Sequence, residues 1–567
     1  MNNSMTAAEA VVDALIEEGI EVVFGMTGDT VLPLLDAMYH RQDEIRYVTA
    51  RVETGATSMA DTYSRTTGKI GCCLFHVGPS VANTVLGAWS AQKDAVPLLV
   101  MSANMDTFRL ERNIWHEFDV MGVYSKFTKW QGQLAQAKDA RRLMRNAFQA
   151  AKSGMPGVVH IDFPKDILPQ PADVESTDLS LLGGAHSDAT ANHPRPEAWA
   201  VDAAAEMLRQ AENPLVLAGR GVRWGDASAQ LVALAESMAI PVITTEMGRG
   251  TIPEDHPLAG GLVGHFGHSA ANGLLREADV VLGLGSRFLN VSTINWSMIA
   301  PSTKIIQVET DPLEIGKQYA VALGIHADSG AFLDDLNAAI GVAPSTVVDP
   351  GHSRVKRVAD LMADQNQRYY DTDIDAVPIK PQRITRAIEE VCDRDVIFVF
   401  GSGRHTQFAH GIQIRSPEQY NYSIGSGTMA WALPGAIGAK IAHPDRQVVV
   451  CIGDGDFGMN AQEIETSVRE KTPIIIVVYN DCSFGALRVF QKQHYGGRYI
   501  GSHFGQTDHA KLAEAYGARG ERVENPADLT GALERAAAAD VTTVIDVMID
   551  GWEPHYRVDE FAEFHKF

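Results

Sequence analysis

Basic residues are scarce. Lys and Arg number 48 against 71 Asp and Glu, a formal charge of −23, which excludes a chain that coats nucleic acid through a basic face and gives no support for binding to an anionic membrane surface. Cysteines are few, at positions 72, 73, 392, 451 and 482. They form no C-x-x-C or other metal spacing, so reduced, mostly buried thiols are expected rather than a disulfide scaffold. Long apolar runs are missing too: stretches such as PIIIVV at 473–478 fall far short of the ~20 residues that cross a bilayer. The opening MNNSMTAAEAVVDALIEE has neither a basic segment nor a continuous apolar core, so no signal peptide and a cytoplasmic setting are expected. No short-period repeat is present, which excludes a solenoid.

What is there is an ordinary globular composition, 45% hydrophobic and 21% charged over 567 residues, long enough for three or four domains. Thr6 and Glu9 form a capping box before an amphipathic helix that Gly19 should close. A short strand, 20–24, and a helix from about Val31 follow. KIGCCLF (69–75), VPLLVMSA (96–103) and GVVHIDFP (157–164) read as strands buried on both faces, the pattern of a parallel sheet covered by helices. Residues 166–195 lose periodicity and read as a linker. Strand signals return at 213–222, 240–248, 278–288 and 303–311, then fade through 341–353 toward 380. A third α/β block covers about 381–548. Three doubly wound parallel-sheet α/β domains are therefore expected.

The chemistry concentrates in RQVVVCIGDGDFGMNAQEIETSVREKTPIIIVVYNDCSFG (446–485). A buried strand, 448–452, ends in Gly453-Asp454-Gly455-Asp456, and a second, 474–478, ends in Asn480-Asp481. Asn460 and Glu463 read as a capping box for the helix between them. Two polar ends of neighbouring parallel strands face one crevice, where open α/β sheets bind ligands. Glycines there let the backbone approach a phosphate. Asp454 and Asp481 supply hard oxygens of the kind that Mg²⁺ takes together with phosphate.

This spacing of GDG and an Asn-rich strand end resembles the motif of the thiamin-diphosphate-dependent decarboxylase and acetolactate synthase superfamily. The likeness extends over about residues 5–550, through VVFGMTGDTVLPLLDAM (22–38), ARVETGATSMADTYSRTTGKIG (50–71), TIPEDHPLAGGLVGHFG (251–267), GSGTMAWALPGAIGAKIAHPDR (425–446) and HYGGRY (494–499). It implies a pyrimidine-binding domain at 1–170, a middle domain at 195–345, a diphosphate-binding domain at 375–548, and a tail at 549–567 as a candidate lid.

The resemblance also implies roles. Glu53 contacts the aminopyrimidine and controls its tautomer, working best if burial raises its pKa. Met429 wedges the cofactor into a V, and Gly427 accepts from its amine. Gly403, Arg404 and His405 form the diphosphate loop, with Arg404 in place of glutamine as an extra phosphate partner. Asp454, Asp481 and the Ser483 carbonyl hold Mg²⁺, with Ca²⁺ as the alternative. Gly455, Asp456, Phe484 and Gly485 complete the cofactor site. Gln493 and His494 are assigned to a loop nearby.

On the substrate side this sequence departs from acetolactate synthases. Asp29 matches pyruvate decarboxylases, His76 matches benzoylformate decarboxylases, and His116 replaces a glutamine. Such a set suits proton traffic near neutral pH. Arg109, Glu111 and Arg112 read as a solvated face, with an arginine clamp on a substrate carboxylate as the alternative. The implied activity is a thiamin-diphosphate- and Mg²⁺-dependent carbon–carbon lyase or carboligase working on a 2-oxo acid or related carbonyl through an enamine. A flavin-containing oxidase with FAD in the middle domain, a ring-dione hydrolase, a 2-hydroxyacyl-CoA lyase and a non-catalytic relative stand as alternatives. A homodimer or homotetramer is implied, with Glu53 of one copy facing the diphosphate domain of another.

Overall fold

A computed structural model describes residues 5–172, 193–343 and 347–554. Most of the expected linker and the distal part of the candidate lid lie outside them. Three six-stranded, all-parallel sheets follow one another along the chain. The first contains β1 (Val22–Gly25), β2 (Arg46–Thr49), β3 (Gly71–His76), β4 (Leu98–Asn104), β5 (Trp130–Gln133) and β6 (Val158–Pro164). The second contains β7 (Pro214–Ala218), β8 (Val242–Thr244), β9 (Ala259–Leu262), β10 (Val280–Leu284), β11 (Lys304–Glu309) and β12 (Leu323–His326). The third contains β13 (Ile397–Phe400), β14 (Tyr420–Tyr422), β15 (Val448–Gly453), β16 (Ile475–Asn480), β17 (Arg519–Val523) and β18 (Thr543–Met548).

The first sheet runs β2-β1-β3-β4-β6-β5 and the third runs β14-β13-β15-β16-β18-β17, the same order repeated. The second runs β12-β11-β10-β7-β8-β9. In each, the winding switches sides of the starting strand, between β1 and β3, between β7 and β10, and between β13 and β15. Ligands of doubly wound sheets bind at the carboxyl ends of the strands beside such reversals of winding. Central strands such as β4 and β6 are buried along their whole length, which is why they read as unbroken apolar runs.

Thr6 caps the helix Ala7–Glu17 in the expected box, accepting from the Glu9 N–H while the Glu9 carboxylate accepts from its own. Gly19 follows at φ +82°. Two expectations are corrected. The stretch from 341 toward 380 holds a helix, Ser353–Tyr369. It was obscured because only Val355, Val358, Gln365 and Tyr369 on it are buried, too sparse a stripe to stand out in sequence. Asn460 and Glu463 form no capping box. Asn460 ends a helix that begins at Asp454, and its amide donates to the Ala430 carbonyl. Glu463 reaches into the first domain and accepts from the backbone N–H groups of Arg51 and Val52 at 2.9 Å.

The first and third domains share a seam. Helix Glu53–Thr67 lies along helix Ala432–Ala442, where glycine is required: a Cβ on Gly438 would sit 2.1 Å from the Met59 carbonyl oxygen. Arg65 is fully buried there between Asp61 and Asp94, at 2.7 and 2.8 Å. The Trp431 indole donates to Asp61 at 2.8 Å, and the Gly425 N–H donates to Asp94 at 2.8 Å. Removing both acids would leave a buried guanidinium with no counter-charge, at a cost of several kcal/mol, roughly 3–5 or more.

Candidate functional site

The reversal points of the first and third sheets hold the polar groups singled out from sequence. At the third, the loop after β13 contains Gly403, the N-cap of helix Arg404–Ala409, and β15 runs directly into the helix Asp454–Asn460. His405 sits among three glycines; a Cβ on Gly453, Gly403 or Gly401 would come within 2.9, 3.0 or 3.2 Å of its ring. Burial lowers its pKa to about 4, so the ring is neutral at pH 7.

Asp454 is 4% exposed, and its Oδ2 is buried with no hydrogen-bond partner among the described residues. Burial first, and then the charge of Asp481, push its pKa up to about 7. Asp481, at the end of the neighbouring β16, accepts from the Ser483 hydroxyl at 2.9 Å and from Arg488 at 2.8 Å. Phe484 closes the far side: a Cβ on Gly455 would meet its ring at 2.8 Å, and one on Gly485 would meet Asp481 Oδ2 at 2.9 Å.

Asp456 holds two loops of this site together. Its two oxygens accept from the backbone N–H groups of Ser402 and Ala430, so it ties the loop after β13 to the loop carrying Gly427 and Met429. That second loop is sharply turned, with Gly427 at φ +61° and Ala430 at φ +67°, and Met429 stays half-buried. The Arg404 guanidinium is taken up by the carbonyls of Gly551 and Glu553. Gln493 and His494 lie at the end of helix Gly485–His494, not in a loop.

At the first reversal point, Asp29 and Thr30 follow β1 and His76 ends β3. His76 is 8% exposed. Its Nδ1 shares a hydrogen bond with Thr30 Oγ1 at 2.8 Å and lies 3.5 Å from Asp29. Its Nε2 shares one with His116 Nδ1 at 2.8 Å. Lys165 donates to the other oxygen of Asp29 at 2.9 Å, which holds that carboxylate below its ordinary pKa, and burial holds His76 below its own. The structure thus joins all three predicted groups and adds Thr30 and Lys165.

His116 is held in a left-handed backbone, φ +68°, as are Glu111 and Asn113 in the same loop. Such strain persists only where packing enforces it. Gly78, itself at φ +75°, allows the approach, since a Cβ on it would sit 2.7 Å from the His116 carbonyl. Arg109, Glu111 and Arg112 are exposed, as a solvated face requires. Glu53 is the first residue of its helix and accepts from the Asn83 amide at 3.0 Å.

Each part of this architecture matches a family model. Residues 5–123 match the thiamine pyrophosphate enzyme N-terminal TPP binding domain, 201–336 the central domain, and 401–547 the C-terminal TPP binding domain. The chain belongs to the thiamine pyrophosphate enzyme family. It is similar to the probable acetolactate synthase large subunit of Methanocaldococcus jannaschii, 33% identical over 96% of this chain and 92% of the relative. It is also similar to the acetolactate synthase of Mycobacterium bovis, 32% identical over 96% and 88%, and to the acetolactate synthase large subunit of Corynebacterium glutamicum, 31% identical over 96% and 87%.

As a thiamine pyrophosphate enzyme the chain depends on that cofactor, and its third domain fits the diphosphate end together with a divalent cation. The bare Asp454 oxygen, the adjacent Asp481 and the close-packed glycine backbone are what such a pair demands. Among the described residues no group of three or more His, Cys, Asp and Glu forms a protein-only cage, so the remaining ligands would come from carbonyl and phosphate oxygens. In the middle domain the corresponding loops press on each other: a Cβ on Gly285 would lie 2.2 Å from the Gly221 Cα, and buried Arg220 faces Glu309 at 3.6 Å. No helix among the described residues is long and apolar enough to cross a membrane.

Sequence reasoning missed Thr30, Lys165, Asn83 and Arg488. The first three meet their partners only through the fold. Arg488 left a local signal, a cation seven residues after Asp481 in the first turn of the next helix.

Proposed function

We propose that the chain is a thiamin-diphosphate- and Mg²⁺-dependent carbon–carbon lyase or carboligase acting on a 2-oxo acid or a related small carbonyl compound. The observation that carries this reading is the hydrogen-bonded run Thr30–His76–His116 with Asp29 and Lys165 behind it. Bound thiamin diphosphate supplies a carbanion nucleophile and electron sink; proton delivery falls to the protein.

A proton on His76 Nδ1, favoured by Asp29, makes Nε2 an acceptor for the His116 Nδ1–H. The outer nitrogen of His116 is then a free base. In the opposite arrangement Thr30 donates to His76, His76 donates to His116, and the outer nitrogen carries a proton to give. One neutral pair thus serves both directions of proton transfer. The names of the similar proteins support carboligation. Asp454, Asp481 and the Ser483 carbonyl would hold Mg²⁺, and Gly403, His405, Gly427 and Met429 would line the cofactor. Glu53 would set the cofactor's tautomer from a second copy. Within its own chain its described side-chain hydrogen bond goes to Asn83, on a helix that exposes Leu86 and Trp89 along the same stripe, so we propose a homodimer or a tetramer of such dimers.

The test is a donor and acceptor screen over 2-oxo acids and aldehydes, with products identified by mass spectrometry, with and without thiamin diphosphate and Mg²⁺. Turnover that persists without the cofactor, or none across the panel with it, would defeat the reading.

A further inference from the structure

Two buried carboxylates, Asp454 and Asp481, lie together at the ends of β15 and β16. Under the reading above they share one divalent cation with an anionic diphosphate, which leaves the pole rich in negative charge. The structure supplies a counter-charge. Arg488, 6% exposed, donates through Nη2 to Asp481 Oδ2 at 2.8 Å, while the Ser483 hydroxyl holds Oδ1 at 2.9 Å. The same Nη2 donates to the Gly551 carbonyl at 2.7 Å. The Trp552 ring packs under the guanidinium, 4.3 Å from Cζ, and also meets the Lys492 ammonium at 4.4 Å. Gly551 must be glycine for this to close: a Cβ there would come 2.6 Å from Asp481 Oδ2 and 2.0 Å from the guanidinium nitrogen.

We propose that Arg488 is a positioning residue of the metal and diphosphate pole. It cancels the charge of Asp481, takes its Oδ2 and leaves Oδ1 as the oxygen offered to the cation, while residues 551–552 hold the guanidinium in place. The pair therefore acts as one neutral, oriented oxygen ligand. This inference rests on the cofactor pole described under Proposed function.

A charge cycle on the full-length protein tests it, with thiamin diphosphate binding followed by tryptophan fluorescence and Mn²⁺ binding by electron paramagnetic resonance. Arg488→Met uncovers a negative charge and should weaken thiamin diphosphate binding by about tenfold or more, without weakening Mn²⁺ binding, because a unit charge within a few ångströms of a partly buried ligand acts on that scale. Asp481→Asn leaves Arg488 unpaired beside the cation and should weaken Mn²⁺ binding by about the same factor. The double variant should recover both affinities to within about threefold of the parent, as coupled neighbours do. Arg488→Lys keeps the charge and should retain thiamin diphosphate binding, which separates charge from folding. Unchanged thiamin diphosphate affinity in Arg488→Met, or a double variant no better than the worse single, would overturn the proposal. A parent protein that binds no thiamin diphosphate would sink the cofactor pole and this inference together. Normal binding by the parent with a failed cycle sinks only this one.

Discussion

Replacing His76 separates the two ends of the proton run. His76→Asn places an amide where Nδ1 stands and keeps the Thr30 partner, but nothing then reaches His116. His76→Gln does the reverse, placing its amide near Nε2 and giving up Thr30. The link to His116 is a 2.8 Å hydrogen bond inside a half-buried pocket. If it moves the catalytic proton, the asparagine variant loses general acid–base catalysis, worth about 100- to 10,000-fold in kcat, or roughly 3–5 kcal/mol. The glutamine variant keeps a hydrogen-bonding partner for His116 but cannot pass a proton from one ring position to the other, so it also loses the relay while still orienting His116, and its loss should be the smaller of the two. Cofactor binding should not change in either, because its charged pole lies in another domain. The side chain also packs tightly, since a Cβ on Gly28 would meet its Cγ at 2.5 Å, so both variants need a matched melting temperature. The assay is kcat against pH with fluorescence titration of thiamin diphosphate. An asparagine variant that keeps half of the parent kcat, or a glutamine variant that is the more damaged of the two, would refute the relay.

Glu53→Gln should still bind thiamin diphosphate but lose most of its turnover, checked by titration and steady-state kinetics; full turnover would contradict its tautomer role. Asp456→Asn keeps one acceptor for the Ser402 and Ala430 amides and sets an NH₂ against the other, at a cost of about 1–3 kcal/mol; a lower cofactor affinity with an unchanged apo fold by circular dichroism is expected. Burial lowers the pKa of His160 to about 3, so its favourable contribution is complete above the unfolded value near 6.5 and is lost as the pH falls toward 3. His160→Gln should therefore lose less stability than the parent between pH 6.5 and 4, by about 3 kcal/mol, read from urea unfolding at each pH.

Much of this was legible in sequence because parallel strands are buried on both faces. β4 and β6 announced themselves as apolar runs, and the GDG and Asn-Asp ends followed from them. The capping box at Thr6 and Glu9 is local, and it held. What failed was local chemistry overridden by distant partners. Asn460 and Glu463 have the spacing of a cap, yet Ala430 and residues 51–52 claim their side chains. Asp456, expected in the cofactor site, has both oxygens on loop amides, which its sequence neighbours do not reveal. Lys165 stands 136 positions from Asp29, and only the pairing of β4 with β6 carries the chain end that bears it to the β1 side of the crevice.

The repeated strand order of the first and third sheets has a consequence for how this molecule can change. Under the proposed function, one plan is used twice, once to handle protons beside the reacting carbon and once to hold charge. Substitutions around Asp29, His76 and His116 can therefore redirect which carbonyl compounds are accepted without loosening the grip on the cofactor. The constraint on such drift is the seam, where Arg65, Asp61 and Asp94 meet Trp431 and Gly425, and where Gly438 touches Met59. A graft of the first domain from another family member would need to bring that helix face with it, like a key cut for one lock.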